Sequence, residues 1–268
     1  MKSITPSGKE PLNNSNSHVL NTLKCPIGTL HFRQWAWSQG SQELSRQRLL
    51  PIRNTLHLQA KFYKPLTNSL MCRKLNNKGK KTEGLRLYRA NCLKVESLSH
   101  ILQGCPSTHW FWVTRHNRLL SMVSDKFTSL GYQIITEPSI MIHGELRKPD
   151  LLLIKNNSVT VCDLTVGWES PITLYERHIA KVDYYGIQGI KQYTTDHWPA
   201  YSQHFQAVAL SSRGGISSLS CTFLKDTGWD RKTLGLLCLC CMEKSLNINW
   251  GFFASNNRLG RVENLKPP

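Results

Sequence analysis

Two adjacent apolar runs, each bordered by an aspartate, constrain the fold of this chain more than any other feature. Residues 146–166 read LRKPDLLLIKNNSVTVCDLTV, in which Asp150 opens the run LLLI and Asp163 closes the run VTVC. The Asn156-Asn157 pair between the runs is typical of a turn, so the pattern predicts two neighbouring strands. A carboxylate without a partner is costly near the interior of a sheet. The two aspartates therefore predict a functional site at adjacent strand ends.

A pair of carboxylates in this setting is typical of a hydrolase that cleaves phosphodiesters. Such an enzyme must activate water and neutralise the charge that builds on the phosphate oxygens, and Mg²⁺ held by two or three carboxylates does both. We predict Mg²⁺ as a cofactor, with Asp150 and Asp163 as ligands and with Glu137, at the end of the preceding strand, as a further oxygen ligand. The alternative is a turn aspartate beside a capping aspartate, without catalytic role.

A lysine close to the carboxylates would complete the pattern P-D…(D/E)-x-K, in which it orients the water and stabilises charge in the transition state. The position two residues after Asp163 holds Thr165, so the cation has to come from elsewhere. We predict Lys181, on the helix that follows the strand, because its long side chain can reach back to the same site. Arg177, one turn earlier on the same face, is the second choice.

Two cysteines and a histidine with the spacing C-x7-H-x4-C predict a zinc site. These residues are Cys92, His100 and Cys105. They can bind one tetrahedral Zn²⁺, whose bonds would stabilise a segment with little core of its own. A first cysteine is expected three to five residues before Cys92, where Tyr88 stands. We predict His109 as the fourth ligand, with a water molecule or Cys72 as alternatives; without zinc, the segment holds a lone histidine and two buried cysteines.

The charge of the chain predicts a polyanionic partner. Its 268 residues carry a formal net charge of +17, and the pI is near 9.7. Residues 24–95 contain fifteen Lys and Arg against two acidic residues. An excess so concentrated favours nucleic acid over a merely solvated basic face, and it argues against a small cytosolic enzyme with an unrelated substrate.

The N-terminal segment and the cysteines predict an intracellular protein that is not secreted. The first eighteen residues are polar and lack the apolar region of a signal peptide. The apolar run LGLLCLCCM is too short to span a bilayer. Nine cysteines, an odd number, fit reduced thiols better than a disulfide framework. We expect a nuclear or cytoplasmic location and no membrane association.

The predicted organisation is one α/β domain behind a basic N-terminal region. Residues 1–20 are expected to be disordered and residues 21–87 to form a basic helical linker. Residues 88–106 hold the incomplete zinc knuckle, residues 107–253 form the α/β domain, and residues 254–268 a flexible tail. The predicted elements are, in order, helices at 96–105 and 110–131, strands at 132–136, 150–154 and 158–166, a helix at 172–190, a strand at 205–211 and a helix at 230–246.

Together these motifs resemble the C-terminal region of non-LTR (LINE-type) retrotransposon Pol proteins, of the class that inserts into ribosomal RNA genes. The resemblance covers about residues 60–250, and its most specific parts are H-I-L-Q-x-C-P-x-T-H, R-H-N, R-K-P-D and the later Asp and Lys. In that family a reverse transcriptase precedes a CCHC zinc knuckle, an R-H-N segment and a restriction-enzyme-like endonuclease. The resemblance implies a PD-(D/E)xK mixed sheet flanked by helices and Mg²⁺-dependent nicking of target DNA to prime reverse transcription.

The resemblance also implies roles for the matching residues, with target DNA and element RNA as partners. The implied nuclease centre consists of Asp150, Asp163 and Lys181. The implied zinc ligands are Cys92, His100 and Cys105. The implied nucleic-acid contacts are Arg115, His116 and Asn117 of the R-H-N segment, with Arg147 and Lys148 of R-K-P-D. An exposed helix face is the alternative for the R-H-N triplet, and the segment SSRGGIS around Arg213 is assigned no chemistry.

Two features depart from the family pattern. Tyr88 stands where the family has its first knuckle cysteine, and no aspartate pair of the Y/F-x-D-D kind occurs in the chain. We therefore expect a fragment of an element, with reverse transcription belonging to the parent protein. The competing interpretation is a catalytically dead remnant that only binds nucleic acid.

Overall fold

The computed structural model describes Cys72, Cys92 and residues 94–168 and 173–262, with side chains up to residue 255. The predictions for residues 1–20, and those for residues 21–87 apart from Cys72, lie outside this part of the chain. The described part is an α/β structure in which helices flank a mixed sheet, which confirms that element of the prediction.

A four-stranded sheet forms the centre of the structure. The strands, in chain order, are β1 (Gln133–Thr136), β2 (Ile140–Ile142), β3 (Glu145–Arg147), β4 (Leu151–Lys155), β5 (Ser158–Gly167) and β6 (Ser202–Ser211). The central sheet has the order β1-β4-β5-β6, while β2 and β3 form a separate two-stranded hairpin. β4 pairs antiparallel with both neighbours, and β6 runs parallel to β5. The sheet is therefore mixed, as predicted.

Helices cover both faces of this sheet. In chain order they are α1 (Leu98–Gln103), α2 (His109–Ser129), α3 (Thr173–Tyr185), α4 (Gln188–His197), α5 (Ser218–Asp226) and α6 (Arg231–Val262), and a 3-10 turn (Pro106–Thr108) joins α1 to α2. One core lies between the sheet and α2, α5 and α6. A second core lies between the opposite face and α3, α4 and the β2–β3 hairpin. In the part of the chain that is described, no helix is long and apolar enough to cross a membrane.

A tight turn sets the register of β4 and β5. Asn156 and Asn157 both have left-handed backbones, with φ of 49° and 54°, a conformation that Asn adopts more readily than most residues. Two such residues in a row match the natural twist of a hairpin. At the far end of the ladder, Leu151 consequently pairs with Cys162. The turn predicted from the Asn-Asn pair is confirmed.

The helix predicted over residues 172–190 is two helices, which corrects the prediction. α3 ends at Tyr185, and the Gly186 N–H bonds to the Val182 carbonyl at 2.7 Å. Ile187 is then extended, with ψ of 156°, before α4 begins. Glycine is a poor helix former, and the break lets Ile190 of α4 enter the core beneath the sheet. The β2–β3 hairpin, α4 and α5 are further elements that were not predicted.

α6 packs against the segment that contains the predicted zinc knuckle. The helix runs to Val262, so the predicted boundary after residue 253 falls within it. Residues of α1 and α6 share a third hydrophobic core, which includes Ile101, Leu102, Leu246 and Phe252. α1 and the α/β domain thus have a common core.

A buried hydroxyl joins α3, α5 and the outer edge of β6. Ser220 Oγ accepts a hydrogen bond from the Ala209 N–H at 2.8 Å and donates to the Ala207 carbonyl at 2.8 Å. It also lies 3.0 Å from His178 Nδ1, and burial lowers the pKa of that histidine. Strand edges carry unpaired backbone groups, and Ser220 satisfies two of them for β6.

Replacing Ser220 by Ala is expected to destabilise the protein by about 1–3 kcal/mol, because buried backbone groups and His178 lose their partner. Urea unfolding followed by circular dichroism measures the change. Ser218→Ala, at a half-buried position of the same helix, is the matched control and should change stability by less than about 0.5 kcal/mol. Equal effects of the two substitutions would contradict a specific role for the Ser220 network.

Candidate active site and metal centre

Three acidic residues lie on or beside three neighbouring strands, with Glu137 just after β1, Asp150 just before β4 and Asp163 within β5. The Glu137 N–H, just after β1, donates to the Asp150 carbonyl at 2.9 Å. The Leu164 N–H of β5 donates to Asp150 Oδ2 at 2.6 Å. Since Leu151 pairs with Cys162, one further step of the same register places Asp150 across from Asp163. Glu137, Asp150 and Asp163 therefore lie in one row across three neighbouring strands. Asp163 lies inside β5, which continues to Gly167, so the prediction that it stands at a strand end is wrong.

Lys181 reaches Asp163 from α3. Its Nζ lies 2.9 Å from Asp163 Oδ2, and the Asp163 side chain is 4% exposed against 37% for Lys181. Lys181 thus supplies the cation that the P-D…(D/E)-x-K pattern expects two residues after Asp163, where this chain has Thr165. Arg177, the second choice, lies with its guanidinium directly against Gly167, where no side-chain carbon would fit. Of the two predicted cations, Lys181 forms the ion pair with Asp163.

The electrostatics of Asp163 indicate a site that is short of positive charge. Burial raises the pKa of Asp163, and the negative charge of Asp150 raises this pKa further. The ammonium of Lys181 lowers it and opposes both effects. Burial and the charge of Asp163 also raise the pKa of Tyr185, one turn after Lys181 on α3. A divalent cation beside the two aspartates would relieve the same repulsion.

His116 belongs to this site, although the sequence suggested a DNA contact for it. Its Nε2 lies 3.1 Å from Asp150 Oδ1. The hydrogen bond to Asp150 raises the pKa of His116, burial lowers it, and the charges of Asp150, Asp163 and Glu137 raise it. Both Asp150 oxygens therefore have partners, Oδ1 on the histidine of α2 and Oδ2 on the backbone of β5.

The other two residues of the R-H-N triplet differ in their exposure to solvent. Asn117 is exposed on α2. Arg115 is only 3% exposed, and its guanidinium donates to Ser245 Oγ at 3.0 Å and to the Leu102 carbonyl at 3.3 Å. A buried arginine with these partners ties α2 to α6 and α1. We therefore correct its assignment from a nucleic-acid contact to a structural link.

Arg147 and Lys148 lie at the base of the β2–β3 hairpin, beside α3. Lys148 is exposed, and its carbonyl accepts a hydrogen bond from the Tyr185 hydroxyl at 2.8 Å. The Arg147 guanidinium lies 4.4 Å from the centre of the Tyr184 ring and pairs with Glu145 at 2.6 Å. Tyr185 was not singled out from the sequence, although its spacing of four from Lys181 places both on one helix face.

The three predicted knuckle ligands come together. The potential ligand atoms of Cys92, His100 and Cys105 all lie within 4.8 Å of one another, with Cys92 Sγ 3.1 Å from His100 Nε2. Burial and the charge of Lys94 lower the pKa of His100, so that the imidazole is kept neutral, the form that binds zinc. Two sulfurs and one nitrogen are a donor set that suits Zn²⁺.

The fourth position of this cluster is not filled as predicted. His109 is exposed at the start of α2, where its ring contacts Trp112, and it is not in the group of three. Cys72 is 4% exposed and packs in the hydrophobic core that also contains Cys105 and contacts Cys92. The other five cysteines of the described residues belong to the main core under α2 and α6.

The two aspartates and the cysteine-histidine cluster offer a metal ion different donor atoms. Within the described residues, the cysteine-histidine cluster is the group in which three potential ligand atoms lie within 4.8 Å of one another. Glu137 is exposed beyond β1 and does not complete such a group with Asp150 and Asp163. Hard carboxylate oxygens suit Mg²⁺, which commonly uses one or two carboxylates and keeps several waters. The two aspartates fit Mg²⁺ on these grounds.

Pol polyproteins of R2 retrotransposable elements are similar to this chain. One from a type-1 element R2 of Popillia japonica is 38% identical over 130 residues, which cover 48% of this chain and 27% of the relative. One from Nasonia vitripennis is 27% identical over 195 residues, 70% of this chain and 19% of the relative. One from the type-2 element R2DM of Drosophila melanogaster is 28% identical over 130 residues, 48% of this chain and 12% of the relative.

The chain spans about a quarter or less of the length of these relatives. No protein-family model matches it. The relatives nevertheless support the predicted origin in a non-LTR retrotransposon Pol protein.

Replacing Asp163 by Asn is expected to stabilise the metal-free protein at neutral pH. Because the pKa of Asp163 is raised in the folded state, the folded state binds the proton more tightly than the unfolded state. Stability is therefore lost as the pH rises from the ordinary carboxyl pKa through the raised one, and the full loss is present above the raised pKa. We expect a higher urea midpoint for Asp163→Asn at pH 7 in EDTA, and a difference that shrinks as the pH falls below the raised pKa toward the ordinary one.

Asp196→Asn, on the exposed surface of α4, is the control and should change stability by less than about 0.5 kcal/mol. A lower midpoint for Asp163→Asn at pH 7 would instead mean that the ion pair with Lys181 outweighs the cost of burial.

Proposed function

We propose that this chain is the endonuclease part of a retrotransposon Pol protein and nicks DNA in the presence of Mg²⁺. The observation that carries the proposal is the pair of aspartates at the neighbouring strands β4 and β5, in which Lys181 forms an ion pair with the buried carboxylate of Asp163. Metal-dependent phosphodiester hydrolysis needs acidic ligands and a cation beside them. In the parent protein, the nick would provide the primer for reverse transcription.

Asp150 and Asp163 would hold the Mg²⁺, with Glu137 as an outer ligand or through water. Bound Mg²⁺ activates water and neutralises charge on the phosphate oxygens. The residues of the chain orient the carboxylate ligands. His116 and the Leu164 N–H each bond one oxygen of Asp150, so the carboxylate has a defined direction.

We assign to Lys181 the role of stabilising the negative charge that develops on the phosphate during cleavage. Its Nζ is held at Asp163 but its side chain is 37% exposed, so it can also contact a phosphate at the edge of the sheet. Arg147, Lys148 and Asn117 would contact flanking phosphates, and binding would weaken steeply with salt. Target DNA and element RNA are the proposed partners, and the nucleus the proposed location.

We further propose that Cys92, His100 and Cys105 bind Zn²⁺ with Cys72 as the fourth ligand. Cys72 lies outside the group of three but shares the hydrophobic core of the other two cysteines, and it would supply the thiolate that Tyr88 lacks. Zinc would then join the segment around Cys72 to α1, and its bonds would contribute folding free energy.

A second candidate function is nucleic-acid binding without catalysis. The observation that favours it is Tyr88, which stands at the place of a knuckle cysteine. The high positive charge would suffice for binding in this case, and the cleavage experiment separates the two functions.

Asp150→Ala and Asp163→Ala are expected to abolish Mg²⁺-dependent nicking of a supercoiled plasmid, and Lys181→Ala to slow it by about 10²–10³-fold. Gel electrophoresis measures nicking, and fluorescence anisotropy with labelled DNA checks that binding is retained. Asp196→Ala, which removes an exposed aspartate on α4, should nick at the parental rate. If the parent protein and all variants bind DNA and none cuts it, the endonuclease proposal fails and the binding function remains.

The zinc proposal predicts one Zn²⁺ per chain, measured by mass spectrometry of the purified protein. Cys72→Ser and Cys92→Ser should each lower the zinc content and the melting temperature. The thiolate-to-cobalt absorption of the Co²⁺-substituted protein should also fall with each cysteine removed. Cys221→Ser, in the main core, controls for loss of a buried thiol. If His109→Ala loses zinc while Cys72→Ser keeps it, the fourth ligand is His109 instead.

A further inference from the structure

The β2–β3 hairpin is separate from the four-stranded sheet. The geometry of the proposed active site gives this hairpin no role. Its strands pair only with each other among the described residues. Its tip, His143-Gly144, has left-handed backbones with φ of 49° and 84°, which is typical of a tight two-residue hairpin turn. A short, sharply turned hairpin projects from the domain at this point.

The inner face of the hairpin is firmly packed. Ile140 is 1% exposed and Ile142 is 9% exposed, in one core with Ile190 of α4 and Leu152 of β4. At Gly189 of α4, an added Cβ would overlap the side chain of Ile142. So close an approach holds the hairpin as a rigid element on α4.

The outer face of the hairpin exposes two large apolar side chains. Met141 is 65% exposed and Leu146 is 50% exposed. The two residues are directly paired across the hairpin, so their side chains are neighbours on the same face. Single exposed apolar residues are common on protein surfaces, but a paired set on a rigid projection indicates a contact surface.

The hairpin is joined to the active site by a short, fixed connection. β3 ends at Arg147, and the three residues to Asp150 span at most about 11 Å. The ring of Tyr184 lies 4.4 Å from the Arg147 guanidinium and 6.0 Å from Lys181 Nζ. The base of the hairpin and the cation of the active site therefore share one aromatic side chain of α3.

The charges beside the apolar pair fit nucleic acid. Glu145, the acidic residue of the hairpin, is neutralised by Arg147 at 2.6 Å. Lys148 is exposed next to it. The apolar pair thus lies close to one uncompensated cation, Lys148, that can contact a phosphate. Proteins that insert apolar side chains between base steps in a groove combine apolar and basic groups in this way.

We infer that Met141 and Leu146 form a wedge that contacts the bases of duplex DNA next to the cleaved phosphate and unstacks one base step there. The wedge lets the duplex bend so that the phosphate reaches Asp150 and Asp163. This inference rests on the proposed endonuclease function, but unstacking itself requires only binding and is measured separately from cleavage.

The test compares the parent protein with Met141→Ser/Leu146→Ser on a set of short duplexes, each of which contains 2-aminopurine at a different step. Binding of the parent in Ca²⁺ or EDTA should increase 2-aminopurine fluorescence, because the base loses its stacking partner. The double variant should bind but lose most of this increase. Trp110→Ser, which removes a 74% exposed apolar side chain from α2, is the matched control and should behave as the parent.

Cleavage provides the second readout, on a fully paired duplex and on the same duplex with a mismatch at the cut. Unstacking one step costs a few kcal/mol, so the double variant should nick the paired duplex about 10–100-fold more slowly than the parent. On the mismatched duplex, where the step is already loose, its rate should stay within about twofold of the parental rate. Thermal melting checks that the variant is folded.

Each other outcome overturns one of the two proposals. Equal loss on both duplexes, or no loss on either, overturns the wedge; in the latter case the apolar pair belongs to a protein contact. If the parent increases fluorescence through Met141 and Leu146 but cuts neither duplex, the wedge stands and the endonuclease proposal fails.

Discussion

The carboxylate of Asp163 has the largest influence on how the elements around it are arranged, because it is buried within β5 with Asp150 across the ladder. A buried charge costs several kcal/mol unless partners compensate for the lost water. Lys181 forms the ion pair at 2.9 Å, and Tyr185 is close enough for the charge of Asp163 to raise its pKa. Both come from one face of α3, so this charge determines where α3 crosses the sheet. Tyr185 then bonds the Lys148 carbonyl and fixes the backbone that leads into Asp150.

Those parts of the fold and site that depend on neighbouring residues could be predicted from the sequence. The apolar runs and the Asn-Asn turn specify β4 and β5, and the register of a two-residue turn brings Asp150 opposite Asp163. Lys181 could be predicted because the helix after β5 packs back over that strand, which brings a lysine on this helix close to Asp163. Cys92, His100 and Cys105 likewise come together as their spacing predicts, because α1 connects them over a short distance.

The parts that depend on distant residues could not be predicted in this way. Arg115 lies at helical spacing from the buried Leu119 and Val123, but a cation in such a position usually extends its charged end to solvent. Its full burial depends on Ser245, which is 130 residues away. The strands of the hairpin have three residues each, too few for an alternating pattern to differ from a loop. The break at Gly186 similarly requires the core position that Ile190 fills, since glycine alone is tolerated inside many helices.

Arg115 and His116 connect the proposed zinc segment to the proposed nuclease centre. Successive residues of a helix point about 100° apart, and here Arg115 points to the Leu102 carbonyl of α1 while His116 points to Asp150. Leu102 lies between His100 and Cys105, so the cysteine-histidine cluster and the Asp150 carboxylate are separated by one helix and two side chains. Any shift of α1 that accompanies metal loss would strain the buried Arg115 first, because its charge has few alternative partners there. The order R-H in the sequence therefore has a mechanical reason: one residue holds α2 to the metal segment, and the next uses that fixed helix to orient a carboxylate.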